Sequence, residues 1–319
     1  MSGFLQALVD PSLPFVRNAL AAGLLSSVLF GLLGSVVTVK RIAGLAGAVS
    51  HAVLGGVGLA LFLSVRGIVP GLPPIAGALV FALIAALLIA LVSLKAKQRE
   101  DTVINAIWAI GMSLGVLFIA KTPGYIDPMS YLFGNILLVS TRDLILLAIL
   151  DVLAVAGAWL FYPQLEASAF DEEFAKTRGA RTDYVFLAIL AAVAVAVVLL
   201  QTFVGIVMVI AMLTLPAGTA GYGAKNLAGM MVGATALSAV FSVAGLAASW
   251  SLDLPSGATV VIIAGAAFLA VSGSRVAFAA LRRRRSGRDR GAGSPQGGAG
   301  GRSASARVRD VEADGGQGK

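Results

Sequence analysis

Long, almost uninterrupted apolar runs dominate this chain and constrain its fold more than any other feature. Of its 319 residues, 58% are hydrophobic and only 13% are charged. Each run is about the length that an α-helix needs to cross a hydrocarbon core of roughly 30 Å. The runs are continuous rather than alternating, which argues against strands, and a helix satisfies its own backbone hydrogen bonds in lipid. The sequence therefore predicts an all-α fold, a polytopic transmembrane helical bundle.

Polar and charged breaks divide the apolar sequence into eight or nine spans. The candidate segments are about 15–38, 48–65, 73–94, 102–120, 142–161, 183–201, 203–220, 226–249 and 256–278. The break between the sixth and seventh segments, at Gln201 and Thr202, is interpreted as a tight turn or a broken helix. Pro216 is expected to break or kink the seventh segment, because proline lacks the backbone N–H that a helix interior needs.

The distribution of lysine and arginine predicts the orientation of the spans. One alternating set of loops is rich in these residues and includes Lys40, Lys95, Lys176, Lys225 and the arginine run from Arg282. The richer set is expected to face the cytoplasm. Nine spans then place the N-terminus outside, whereas eight spans change the placement of the early helices. The net charge of +8 does not indicate nucleic-acid binding, since the basic residues lie in short loops and in the tail.

Two regions are predicted. Residues 1–281 form the transmembrane domain, and residues 282–319 form a basic tail rich in glycine, serine and arginine. A segment of that composition cannot bury a core, so we expect a disordered cytoplasmic tail that is dispensable for function. A contact between its arginine run and anionic lipid is the alternative interpretation.

A charged segment at about 164–180 separates two apolar runs and is the strongest indication of a partner. It contains Phe170 and Phe174, one helical turn apart among acidic and basic residues. The charge distribution places it on the cytoplasmic side. A charged, helix-compatible segment between two spans is typical of a docking surface.

Two ionisable residues within spans are candidate functional groups. His51, the only histidine, shares a helical face with Gly47, Gly55 and Gly58, so we expect it to point into the bundle. An intramembrane imidazole is a candidate metal ligand, and a packed histidine bonded to a carbonyl is the equally weighted alternative. Asp151 lies mid-span, where a carboxylate must be paired, protonated or in contact with water. A structural hydrogen bond is the favoured interpretation for Asp151, with function second.

Catalytic motifs are missing from the sequence. It contains no phosphate-binding glycine loop of the Walker A type, no His-Glu-x-x-His segment and no cysteine. We therefore expect no enzymatic activity and no bound cofactor. Any energy source must be another chain or an ion gradient, and an intramembrane enzyme is disfavoured.

Four segments resemble, in order, the membrane permease subunits of ABC importers for metal ions such as zinc, manganese and iron. They are residues 30–41 with 50–58, residues 99–102 with 111–117, residues 127–135 with 139–144, and residues 170–179 with 204–220. Ser-Tyr-Leu-Phe-Gly, ending at Gly134, and Glu-Phe-Ala-x-x-x-Gly, ending at Gly179, are specific in combination. The resemblance covers most of residues 15–280.

The resemblance implies a function and a set of partners. It implies a fold similar to type II ABC importer permeases, in the bacterial cytoplasmic membrane, that moves a divalent metal ion, zinc first and manganese or iron next. It implies a pair of ATP-binding subunits, an extracytoplasmic metal-binding protein and a second permease copy. The family's coupling helix maps onto Glu166, Phe170, Glu172, Glu173, Phe174 and Gly179.

One position departs from the family pattern. The family commonly has an acidic residue four positions before the histidine, and this chain has Gly47 there. His51 thus remains the metal-ligand candidate without its carboxylate partner, and Asp151 is the weaker second candidate. A secondary transporter driven by an ion gradient is the alternative function. It would need no ATPase-docking segment and would carry several intramembrane acids, whereas residues 184–252 carry none.

Overall fold

The computed structural model describes residues 2–95, 100–124, 134, 139–170, 176–177 and 181–292, and all regular structure in these ranges is helical. The helices are α1 (Ser2–Val9), α2 (Pro14–Val39), α3 (Ala43–Val65), α4 (Pro74–Lys95), α5 (Glu100–Lys121), α6 (Thr141–Leu160), α7 (Tyr162–Phe170), α8 (Thr182–Val204), α9 (Ile206–Gly221), α10 (Leu227–Leu252) and α11 (Ser256–Ala292). The predicted all-α transmembrane bundle is confirmed.

Eight of the described helices are long and apolar enough to cross a membrane. The seventh candidate span is the exception, since α9 has 16 residues, a length of only about 24 Å. The start of α3 differs from the predicted boundary by five residues, because the helix begins at Ala43 rather than near residue 48. The added residues are small or apolar and mostly buried, so packing extends the helix without a side-chain cap.

Close contacts between helices show which ends lie together. The Ala228 N–H donates to the Tyr162 hydroxyl oxygen (N···O 3.2 Å), so α10 starts at the end of the bundle where α7 starts. We call this end, marked by Tyr162 and Ala228, the coupling end. Because α8 leaves the coupling end and α10 starts there, the short helix α9 makes the return crossing. The described helices therefore make nine traverses, eight by long helices and one by α9.

The helices α2 and α10 run antiparallel along the centre of the bundle. A Cβ on Gly23 would lie 3.3 Å from the Ser242 Cβ, and one on Gly31 would lie 2.5 Å from the Thr235 Cα. These contacts pair the C-terminal end of α2 with the N-terminal end of α10 at the coupling end. The start of α2 consequently lies at the opposite end of the bundle.

The break between α8 and α9 lies at Gly205, not at Gln201 and Thr202 as the sequence indicated. Gly205 has φ 80°, a left-handed conformation that glycine adopts without a steric penalty. A Cβ on Gly134 would lie 2.9 Å from the Gly205 Cα, so two glycines meet at the break. Pro216 does not end its helix, since α9 continues to Gly221.

Hydroxyl groups inside the bundle bond to their own helices. Ser27 donates to the Gly23 carbonyl at 2.6 Å, Ser35 to Gly31 at 2.6 Å and Ser50 to Ala46 at 2.8 Å. A hydrogen bond to the carbonyl four residues earlier gives a buried hydroxyl an acceptor within its own helix, so no group on a neighbouring helix is needed. By contrast α4, α5 and α6 expose many large apolar side chains, as expected of surfaces facing lipid or another membrane chain.

The contacts divide the chain into a unit of residues 1–273 and a unit of residues 274–319. Helix α11 continues to Ala292, so its last residues lie in the segment 282–319 for which we expect disorder. Residues 293–319 lie outside the described residues.

Candidate metal site and coupling segment

His51 lies on a helix that is buried on almost every side. It sits two turns into α3, roughly 12 Å along the axis from Ala43, and its residue is 8% exposed. A Cβ on Gly111 would lie 2.6 Å from the Ala52 Cα, and one on Gly58 would lie 2.7 Å from the Gly115 carbonyl oxygen. The backbones of α3 and α5 are thus in contact, which confirms that glycines line the faces where His51 lies.

The imidazole of His51 stacks on the indole of Trp108. The ring centroids are 4.7 Å apart and the ring planes differ by 15°. Trp108 is 44% exposed, so its ring covers His51 on one face and contacts the surroundings on the other. The sequence analysis did not identify this pairing, because the register between α3 and α5 follows from glycine contacts that no single span reveals.

One edge of the imidazole has no partner among the described residues. The Nδ1 atom is buried and makes no hydrogen bond there. A carbonyl partner, the structural alternative for this histidine, is therefore absent at Nδ1. A buried polar atom without a protein partner leaves a hydrogen-bonding position that a water molecule or a ligand can fill.

Gly47, one turn before His51, adjoins open space. A Cβ added there would meet no atom within 4 Å. The position of the family's acidic residue is thus empty rather than filled by another side chain. The Cβ atom of a larger residue at this position would therefore meet no neighbour.

A surface groove runs along α5 beside the stacked rings. Its volume is about 670 Å³, and its lining includes Asn105, Trp108, Met112, Ser113 and Val116. The lining is mostly apolar with two polar side chains. Trp108 therefore lies between the buried imidazole and an open groove whose lining does not include His51.

Asp151 is buried but lies on a different part of the bundle. It is 7% exposed, and neither carboxylate oxygen has a hydrogen-bond partner among the described residues. Its helix α6 packs mainly against α2, whereas α3 packs mainly against α4 and α5. No described contact joins Asp151 to His51, and the described residues hold no group of three acidic or histidine side chains suited to a metal ion.

The charged segment at about 164–180, for which docking of an ATP-binding subunit is predicted and which we call the coupling segment, begins in helix α7 at the coupling end. Phe170 is 64% exposed there, and Glu166 accepts a hydrogen bond from the Tyr162 hydroxyl (3.0 Å). Burial raises the pKa of the Tyr162 hydroxyl, the amide of Ala228 opposes this, and Glu166 adds to it, so the hydroxyl keeps its proton at neutral pH. Glu172, Glu173, Phe174 and Gly179 lie outside the described residues.

A salt bridge fixes the end of the segment. Lys176 Nζ lies 3.2 Å from Asp183 Oδ1, in the first turn of α8. Both side chains are about half exposed, so the pair contributes little to stability. It places Lys176, near the end of the charged segment, beside the start of the next span.

Relatives of known sequence support the family resemblance. The chain is 41% identical to an uncharacterized membrane protein of Synechocystis over 80% of this chain and 89% of the relative. It is 34% identical to a probable metal transport system membrane protein of Chlamydia trachomatis over 80% and 87% of the two chains. It is 31% identical to a manganese transport system membrane protein of Listeria monocytogenes over 82% and 90%.

A solved structure has the same fold. PsaBC from Streptococcus pneumoniae, in complex with a Fab, superposes with a TM-score of 0.74 at 28% identity and covers 85% of this chain and 94% of that one. The model of the family described as "ABC 3 transport family" matches residues 12–274. The predicted kinship with ABC permeases of metal-ion importers is thereby confirmed, and this chain belongs to the ABC 3 transport family.

Proposed function

We propose that this chain is the permease subunit of an ATP-driven importer that moves a divalent transition metal ion across the bacterial cytoplasmic membrane. The match to the ABC 3 transport family over residues 12–274 carries the proposal. Relatives named for metal or manganese transport support the substrate class. No described feature favours the alternative of a gradient-driven secondary transporter.

ATP hydrolysis belongs, in this proposal, to a pair of separate subunits that dock on the coupling segment. The contact residues are Glu166, Phe170, Glu172, Glu173, Phe174 and Gly179. The exposure of Phe170 at the coupling end supports this assignment, because an exposed aromatic beside acidic groups suits a protein interface. An extracytoplasmic metal-binding protein and a second permease copy complete the assembly.

Replacement of Phe174 by aspartate tests the docking assignment. A charge in place of an interface aromatic should abolish most co-purification of the cognate ATP-binding subunit, since interface cores are enriched in aromatic residues and depleted of charged ones. Val69→Asp is the matched control, because Val69 is an exposed apolar residue in the loop between α3 and α4. Equal recovery of the ATP-binding subunit with the parent and with Phe174→Asp would refute the docking assignment.

His51 is proposed as the residue that contacts the metal ion within the membrane. Its unpartnered buried Nδ1 and the groove beside Trp108 support a ligand role. Asp151 is the second candidate, on the strength of its unpartnered carboxylate alone. The site is expected to be weak, because one imidazole adds no negative charge to offset the loss of the ion's hydration.

Two observations bear on the identity of the metal, and they favour different ions. A lone imidazole suits zinc better than manganese, which prefers carboxylate and carbonyl oxygens. Relatives named for manganese support manganese. We propose zinc first on ligand chemistry, with manganese and then iron next, and competition between these ions in one uptake assay decides the order.

A further inference from the structure

The Tyr162 hydroxyl joins two helices that are distant in sequence. It donates to the Glu166 carboxylate within α7 (3.0 Å) and accepts from the Ala228 N–H in the first turn of α10 (3.2 Å). The three groups form a continuous chain of hydrogen bonds from carboxylate to hydroxyl to amide. Such a chain orients the negative group toward the positive end of the α10 dipole.

The first turn of α10 is capped from two sides. The Asn226 side chain accepts from the Gly229 N–H at 2.8 Å, as an ordinary N-cap does. The first N–H groups of a helix have no carbonyl partner within the helix, and the Ala228 N–H is one of them. The Tyr162 hydroxyl oxygen accepts its hydrogen bond. Part of the cap of α10 is therefore supplied by α7.

Helix α10 is in turn packed closely on α2. A Cβ on Gly31 would lie 2.5 Å from the Thr235 Cα, so the two backbones are in direct contact and α10 cannot move toward α2 without displacing it. Helix α2 also contacts α9, since a Cβ on Gly34 would lie 3.1 Å from the Leu213 carbonyl carbon. A displacement of the start of α10 is thus transmitted to α2 and α9, the central helices of the bundle.

We propose that Tyr162 is a positioning residue that couples movement of the ATPase-docking segment to α10. This inference rests on the proposed function. When docked ATP-binding subunits displace α7, the hydroxyl carries the start of α10 with it and so moves the paired helices α10 and α2. Without the hydroxyl, α7 still docks but slips relative to α10, and hydrolysis proceeds with less transport.

The variant Tyr162→Phe isolates the hydroxyl. The ring packs against the hydrophobic core, and phenylalanine keeps that packing while it removes both hydrogen bonds. Tyr184→Phe is the matched control. Tyr184 lies near the start of α8, is 68% exposed, and its hydroxyl has no hydrogen bond among the described residues.

The experiment measures ions transported per ATP hydrolysed. Parent, Tyr162→Phe and Tyr184→Phe are reconstituted in vesicles with the ATP-binding subunits and metal-binding protein, and uptake of Zn²⁺ and Mn²⁺ is measured beside ATPase rate. Tyr162→Phe should lower the ratio about threefold to tenfold, the range expected for loss of one or two ordinary hydrogen bonds. Co-purification of the ATP-binding subunits should not change, and amide exchange at Ala228 should accelerate.

The outcomes separate the inference from the proposed function. A parent complex without ATP-dependent uptake overturns the proposed function, and the inference falls with it. A parent that transports and a Tyr162→Phe complex with the same transport ratio overturn the inference alone. Loss of ATP-subunit binding in Tyr162→Phe also overturns it, because the residue would then act in docking. An equal drop in the transport ratio of Tyr184→Phe overturns it as well. The effect would then not come from the two hydrogen bonds of the Tyr162 hydroxyl.

Discussion

At the scale of single residues, His51 combines two features that seldom coexist. The residue is buried and its ring stacks on Trp108, yet its Nδ1 atom bonds to no described group. In most buried histidines a carbonyl or carboxylate would satisfy that atom. One turn before His51, a Cβ on Gly47 would meet no atom within 4 Å, so no other side chain takes the position of the family's acidic residue.

Substitution of His51 by alanine tests whether the imidazole contacts the ion. Metal uptake should fall about tenfold or more, since loss of even an outer ligand partner commonly costs that much in affinity. Assembly should persist, because the α3–α5 contact depends on glycines. Ser50→Ala is the control, as the Ser50 hydroxyl bonds only to the Ala46 carbonyl among the described residues. Asp151→Asn, in the same assay, tests the second candidate.

The converse change is Gly47→Asp, which restores the family's acidic residue beside His51. It should tighten metal binding, measured by competition with a chelator, and slow release during turnover, because a pathway must also let its ion leave. If His51→Ala transports like the parent, the histidine is a packing residue. Unchanged affinity in Gly47→Asp would show that the open space is not part of the ion's route.

At the scale of helices, the sequence predicts which helices are present better than it predicts the residues at which they begin and end. Hydropathy alone located all nine apolar segments, because each needs only length and composition to be recognised. The α8–α9 break was misplaced, since Thr202 and Pro216 look like breakers whereas Gly205 makes the turn with help from Gly134, distant in sequence. The Tyr162–Ala228 hydrogen bond was equally invisible, because it depends on how α7 folds back onto α10.

Glycine positions on α3 and α5 offer a direct test of helix packing. Gly111→Ala should lower stability by about 1–3 kcal/mol, the usual cost of overpacking, because its Cβ would lie 2.6 Å from the Ala52 Cα. Gly47→Ala should be neutral or stabilising by roughly 0.5–1 kcal/mol, as expected for glycine to alanine in a helix with free space. Thermal unfolding in detergent measures both. Equal stability of the two variants would contradict the described α3–α5 contact.

At the scale of the whole molecule, family and membrane class follow from the sequence, but the site does not. The motifs and apolar spans identified an ABC permease, and the family match over residues 12–274 confirms it. The proximity of His51 to Trp108, and its separation from Asp151, depend on the three-dimensional packing of α2, α3, α5 and α6. The spacing of these residues along the sequence does not reveal which of them are in contact.

The most direct test of the account is ATP-dependent metal uptake by the reconstituted complex. Vesicles containing this permease, its ATP-binding subunits and the metal-binding protein are loaded with ATP on the coupling side, and entry of Zn²⁺, Mn²⁺ and Fe²⁺ is measured with and without an imposed proton or sodium gradient. The account predicts uptake that requires ATP and persists when gradients are collapsed. Uptake that follows an ion gradient and ignores ATP would contradict it.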